Sequence, residues 1–158
     1  MTEFERALVE AFNQYFNDNG VQGIAYRRKQ HRFSSQFVDV LVDSAHPDFY
    51  LAIENKSLKT ENNGTLYFSQ HFSEADDRHQ VERITEFLNR SGRNGFLAVE
   101  LKRGRGRSRQ AYMIPWDEVD RKYTTGAVGL PLEHIKQFPE IQRDGATYRI
   151  DTVMEELR

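Results

Sequence analysis

Two carboxylates and an amine stand where apolar strands should hold them: Asp39, Glu54 and Lys56. Side chains alternate along a strand. In the run Tyr50-Leu51-Ala52-Ile53-Glu54-Asn55-Lys56, residues Tyr50, Ala52, Glu54 and Lys56 therefore share one face, while Leu51 and Ile53 turn toward an apolar layer. Just upstream, Asp39 interrupts the β-branched run Val38-Asp39-Val40-Leu41-Val42, and a short turn between the two runs lets Asp39 come near Glu54. A Glu-x-Lys pair alone reads as a surface salt bridge, which is worth little. Two acids and a lysine at the ends of hydrophobic strands ask for more, because charges leave water only with a partner or a metal.

Two further polar side chains fall where apolar ones belong. Residues 3–17 carry Phe4, Ala7, Leu8, Ala11, Phe12, Tyr15 and Phe16 at helical spacing, which predicts an amphipathic helix. On the helical wheel Glu5 falls between Phe12 and Phe16, inside the apolar arc, whereas Glu3 and Glu10 fall on the solvated side. Glu5 either belongs to a buried site or marks a frayed first turn, where an acid also meets the helix dipole favourably. In a later helix of about residues 79–89, Val81, Ile84, Phe87 and Leu88 form the apolar arc. Gln80 lies within that arc; His79, Glu82 and Glu86 do not. Gln80 is thus a hydrogen-bonder aimed into a site, or a satisfied core amide.

The elements that must position these residues follow from pattern. Gly20 ends the first helix, and strands are expected over 23–29, 36–43 and 49–56, with Pro47 in the turn between the last two. Residues 58–72 read as a loop with a short extended piece near Leu66-Tyr67-Phe68. Asp76 and Asp77 are N-cap candidates for the second helix, and Gly92 and Gly95 flank its end. Strands at 95–101 and 110–115 make a hairpin. Beyond it, short helices are expected near 117–123, 132–138 and 151–158, with a strand near 147–150. The order αβββαββ predicts an α/β fold, a mixed central sheet flanked by helices. The 158 residues suit a single domain, with the part from about 117 a helical appendage.

Composition narrows the chemistry. Cysteine is absent, which leaves oxygen and imidazole as possible ligands. His31, His71 and His79 show no metal-ligand spacing and read as loop or DNA-contact residues. No apolar run approaches the roughly 20 residues that span a bilayer, and the N-terminus shows no leader pattern, so an intracellular, cytoplasmic protein is expected. The net charge is -2, yet cations are dense in Arg27-Arg28-Lys29-Gln30-His31-Arg32 and at the hairpin tip, where Lys102, Arg103, Arg105, Arg107 and Arg109 fall within eight residues. Such clusters suit phosphate contact, or merely keep strand edges soluble.

Asp39 followed, after fourteen residues, by Glu54-Asn55-Lys56 resembles the PD-(D/E)-x-K nuclease superfamily. Within it the chain looks most like Holliday-junction resolvases of the archaeal and bacterial RecU types. The resemblance runs from about Phe4 to Val119 and includes Phe4-Glu5-Arg6, Val38-Asp39-Val40-Leu41, Ala52-Ile53-Glu54-Asn55-Lys56-Ser57, His79-Gln80, Gly95-Phe96-Leu97-Ala98-Val99 and Tyr112-Met113-Ile114-Pro115. Val38 stands where the family often has proline.

The resemblance implies a restriction-endonuclease-like fold. It also implies a Mg²⁺ ion, replaceable by Mn²⁺, held by Asp39, Glu54 and the Asn55 backbone carbonyl, with Glu5 joining directly or through water. Lys56 would position the attacking water or stabilise developing charge, and Gln80 would orient a phosphate or a water. Arg27, Arg28, Lys29, Arg32, Arg103, Arg105 and Arg107 would contact DNA. The implied activity is paired, symmetric nicking of four-way junctions by a homodimer. The alternatives are a restriction- or repair-type enzyme cutting ordinary duplex, and a non-catalytic DNA-binding module on the same fold. For the dimer interface the sequence offers the apolar runs 96–101 and 112–116 and the aromatics Tyr67, Phe68 and Phe72.

Overall fold

The protein is described by a computed structural model over residues 2–27, 38–60 and 64–157. Helix α1 (Glu3–Asn19) opens the chain, and strands β1 (Gly23–Arg27), β2 (Val40–Ser44) and β3 (Leu51–Lys59) follow. Next come β4 (Thr65–Tyr67), the single turn α2 (Phe68–His71), and a miniature hairpin of β5 (Glu74–Ala75) and β6 (Arg78–His79). Helix α3 (Gln80–Ser91) leads to β7 (Asn94–Lys102), β8 (Gln110–Pro115) and α4 (Trp116–Thr124). The chain ends with β9 (Gly129–Pro131), α5 (Leu132–Ile135), β10 (Glu140–Asp144), β11 (Thr147–Arg149) and α6 (Asp151–Glu156).

Among the described residues the main sheet runs β1-β2-β3-β7-β8-β10-β11. β3 and β7 pair in parallel, from Leu51 against Asn94 to Lys59 against Lys102, and the other neighbours pair antiparallel. The parallel pair needs a crossover, and α3 lies within it. A mixed central sheet flanked by helices is the architecture expected above, and it is the one observed.

Alternation along the central strands divides the core. Val40, Val42, Leu51, Ile53, Ala98 and Met113 face α1, where they meet Leu8, Phe12 and Phe16. Leu41, Ala52, Leu97, Val99 and Ile114 face the other way, onto Val81 and Ile84 of α3 and Trp116 and Val119 of α4. The C-terminal strands extend the sheet, and Ile141, Tyr148, Ile150 and Val153 enter the α1-side core. The buried Glu100 carboxylate of β7 ties this addition to the sheet, accepting from the Tyr148 hydroxyl at 2.8 Å, and also pairs with Arg109, just before β8, at 3.2 Å. Burial and that hydrogen bond hold the Tyr148 phenol protonated, well above its ordinary range.

The outer edge of β1 is sealed from within. The Asn13 side chain accepts the Ala25 N–H at 2.8 Å and donates to the Ala25 carbonyl at 3.0 Å, as a neighbouring strand would. No described helix is long and apolar enough to cross a membrane.

Several local expectations shift. Gly20 and Gly92 cap their helices at positive φ, as glycine permits. Asp76 and Asp77 do not cap α3. Both have positive φ (53° and 60°) and form the two-residue turn between β5 and β6, a geometry that Asp tolerates. The cap is His79, whose Nδ1 accepts the Val81 N–H at 3.1 Å. The extended piece expected near Leu66 within 58–72 is β4, and the same stretch also holds the end of β3 and the turn α2, where Leu58 and Phe68 bury their side chains. Of the strand expected over 36–43, residues 36 and 37 lie outside the described residues; Asp39 sits in a bend, and regular pairing starts at Val40.

Candidate active site

β2 pairs with β3 only from Val42 against Leu51 to Val40 against Ile53, whereas β3 continues to Lys59. Asp39 leaves the ladder at that fork. Its Oδ2 accepts the Asn55 N–H at 2.8 Å and takes over the role of a strand partner. In extended backbone the N–H and C=O of one residue point to the same edge, so the Asn55 carbonyl also turns toward Asp39. Glu54 and Lys56 occupy the α3-facing side of β3, in line with Ala52.

Glu54 is 2% exposed. Lys56 Nζ lies 3.0 Å from its Oε2, and the Gln80 amide donates to the same oxygen. Gln80 Oε1 in turn accepts from Lys56 Nζ at 3.3 Å and from the Ser73 N–H at 3.1 Å. Gln80 is thereby fixed at the first turn of α3 by the miniature hairpin, with its backbone N–H on the Ser73 carbonyl at 2.8 Å. Lys56 Nζ also stands 4.7 Å from the centre of the Phe72 ring, an attractive cation–π arrangement.

Burial, then the negative charge of Asp39, push the Glu54 carboxyl up to about 8, against the pull of Lys56. The same two causes raise Glu5, with Arg27 opposing. Three acids thus converge on one place. Glu5 comes from the first turn of α1, where the Thr2 side chain accepts the Glu5 N–H at 3.1 Å. Thr2-Glu3-Phe4-Glu5 has the capping-box pattern, yet the Glu5 carboxylate faces Arg27 Nε at 3.3 Å instead of folding back. The apolar-arc reading of Glu5 therefore corresponds to real burial, at 8% exposure.

These groups line one open cleft of about 640 Å³, which takes in Glu5, Arg27, Asp39, Glu54, Asn55, Lys56, Gln80 and Arg83. The sequence-derived residues Glu5, Asp39, Glu54, Asn55, Lys56, Gln80 and Arg27 are therefore brought together. Arg28, Lys29 and Arg32 lie outside the described residues. Arg103, Arg105 and Arg107 are apart from the cleft, on the β7–β8 turn. The parallel register of Lys59 with Lys102 puts that turn at the same end of the sheet as Lys56.

Several neighbours of the site escaped the sequence reading. Arg83 lines the cleft and donates to Ser73 Oγ at 3.0 Å. Its position three residues after Gln80, on the same helix face, was the available signal. Phe72 carried no signal beyond hydrophobicity. His79 is not a loop or DNA-contact residue. It is 7% exposed, bonds the Phe68 carbonyl through Nε2 at 2.9 Å and stacks on Tyr123. Its role is to hold the start of α3, and with it Gln80. The aromatics expected to serve an interface are mostly spent on the core: Phe68 and Phe72 are buried, as are Leu97, Val99, Tyr112 and Ile114, and Tyr67 alone of that set is exposed.

The donor set suits a hard cation. The negative charge of Asp39 raises the proton affinity of both Glu54 and Glu5, an effect that a cation would relieve. Among the described residues no three acidic or histidine side chains close into a metal cage. Mg²⁺ does not need one, since it keeps several waters and takes one or two carboxylates. Asp39 and Glu54 supply that number.

No protein-family model matches the chain, and no curated protein matches it in sequence. Among solved structures, it is similar to Hjc, a Holliday junction resolvase from the archaeal hyperthermophile Archaeoglobus fulgidus. The identity is 20%, the match covers 99% of this chain and 93% of that chain, and the TM-score is 0.45.

Proposed function

We propose that the chain is a Mg²⁺-dependent DNA endonuclease that resolves four-way junctions as a homodimer. The observation that carries this reading is the convergence of Glu5, Asp39, Glu54, Lys56 and Gln80 on one open cleft at the fork between β2 and β3. A non-catalytic module would have no use for a buried Glu54 beside a second carboxylate, an arrangement that weakens the fold unless a cation neutralises it.

Asp39 and Glu54 would hold the ion, with the Asn55 carbonyl beside them and Glu5 acting directly or through water; Mn²⁺ suits the same oxygen donors. When bound, the metal supplies an acidified water and offsets charge on the scissile phosphate. Lys56 is held by Glu54 and Gln80 with its ammonium at the cleft, where it positions the attacking water or stabilises the charge that develops on phosphate. Gln80 keeps Lys56 and Glu54 in fixed relation and orients a phosphate or a water. Arg27 and Arg83, on the cleft wall, and the hairpin arginines Arg103, Arg105 and Arg107 contact neighbouring phosphates. Such a substrate places the protein inside the cell, with the nucleoid.

The decisive experiment compares Mg²⁺-dependent cleavage of a labelled four-way junction, a linear duplex, a flap and a single strand. The junction should be cut in two symmetric places, faster than the others, and chelation should stop it. Equal cutting of duplex and junction leaves a nuclease but removes the resolvase. No cleavage of any substrate with Mg²⁺ or Mn²⁺ removes both.

A further inference from the structure

A second concave feature lies beyond the acidic cleft. Lys59, Lys102, Arg103, Gly104, Arg107 and Arg109 line a cleft of about 320 Å³, with no acidic side chain among them. Lys59 follows Lys56 by three residues along β3, so the two side chains leave opposite faces at the same end of the strand. Lys59 and Lys102 are register partners on neighbouring strands, where like charges repel.

The remaining cations are held in place. Arg103 donates through Nε to the Ser108 carbonyl at 2.7 Å, and Arg109 is pinned by Glu100 at 3.2 Å and Glu3 at 3.5 Å. Between them the chain turns at Gly104 and Gly106, whose φ values of 100° and 78° suit glycine, and the Arg107 N–H closes the turn on the Gly104 carbonyl at 3.2 Å. Lys59, Lys102 and Arg107 have no ion-pair partner among the described residues. Solvated strand ends would splay such charges into water. Here the parallel register and the clamped turn gather them around one concavity.

We infer that Lys59, Lys102 and Arg107 form a phosphodiester-binding cleft that grips the DNA backbone beyond the cleavage centre, at the end of the sheet that also holds Lys56. The inference rests on the nuclease reading and adds to it a second anchoring point, built by strand register and not by the acidic site.

The test measures binding without cleavage. Fluorescence anisotropy with a labelled duplex and a labelled four-way junction, in chelator and across a salt series, gives the slope of log K against log salt. K59Q/K102Q should lower that slope by about 0.9 per lost phosphate contact, roughly 1.8 for the pair. K59R/K102R should keep it. R107Q, on an exposed turn that bears no core packing, should lower it by about 0.9 and gives an independent reading if the double variant fails to fold. R90Q, at the far end of α3, should leave it unchanged. Wild-type slopes for K59Q/K102Q and R107Q, from a protein that still cuts DNA, would overturn the cleft and leave the nuclease standing. A wild-type protein that neither binds nor cuts either DNA overturns the nuclease reading, and the cleft falls with it.

Discussion

Asp39 accepts the Asn55 N–H at 2.8 Å, one position past the last β2–β3 pair. One carboxylate oxygen thus finishes the sheet, while the carboxylate as a whole stands against Glu54 and raises its proton affinity. Structure and chemistry should separate on substitution. Asp39→Asn keeps an acceptor for the N–H but loses the charge; Asp39→Ala loses both. Both variants should be inactive, and only Asp39→Ala should lose stability, by about 1 kcal/mol for one hydrogen bond. Urea denaturation beside a junction-cleavage assay reads the two effects. Equal stability of the two variants would deny Asn55 its dependence on Asp39.

Glu54 should make metal-free stability depend on pH. Its carboxyl titrates at about 8 in the folded chain, raised by burial and by Asp39 from an ordinary 4.5. Below about pH 4.5 the group is protonated folded or unfolded and costs nothing. Between 4.5 and 8 the unfolded state ionises first, so stability falls as pH rises, and above 8 the loss is complete. The full cost is on the order of several kcal/mol. Glu54→Gln should remove most of this slope, and Mg²⁺ should raise the melting temperature of the wild type more at pH 8 than at pH 5. A pH-independent difference between wild type and Glu54→Gln would refute the coupling.

Glu5 and Glu10 share a helix but not an environment: Glu5 is buried against Arg27, and Glu10 is exposed. Glu5→Gln should slow cleavage roughly 10- to 100-fold, the range seen for residues that support a metal site. Glu10→Gln should match the wild type. Single-turnover rates at saturating Mg²⁺ decide it, and a wild-type rate for Glu5→Gln removes Glu5 from the site.

His79 and Gln80 are adjacent yet should fail differently. His79→Ala removes the α3 cap and an aromatic stack, so it should lower stability by about 1 kcal/mol or more. Gln80→Ala should leave the melting temperature nearly unchanged. It should reduce the cleavage rate without weakening DNA binding, since it frees Lys56 and Glu54 from their common tether. Thermal melts with parallel binding and rate measurements test the split. A Gln80→Ala variant that cuts at the wild-type rate would make the amide purely structural.

Resolution needs cuts in two strands, and each chain carries one Asp39-Glu54-Lys56 site. Light scattering should therefore find a dimer at micromolar concentration, and a cruciform plasmid should be linearised in preference to relaxed duplex. A monomer that cuts both equally would rule out junction resolution by this chain.

Much of this was decided by local pattern. The first helix, the strand runs around Val40 and Ile53, the 110–115 strand and the Asp39, Glu54, Lys56 trio follow from side-chain periodicity, which senses only near neighbours along the chain. Helical periodicity also picked out Glu5 and Gln80, because a polar residue inside an apolar arc is visible without knowing what packs there. Tertiary structure decided what these residues meet. Gln80 reaches Glu54 across 26 positions because β3 pairs in parallel with β7 and α3 fills the crossover. The same register carries the basic hairpin to the end of the sheet that holds Lys56, and the pairing of β10 with β8 adds β10 and β11 to the far edge. The α3 cap passed from the two aspartates to His79 because a two-residue turn of positive φ claimed both Asp76 and Asp77. Strand pairing and helix docking join distant segments, and their free energy lies in surfaces that exist only once the chain has closed, so no window of sequence contains them.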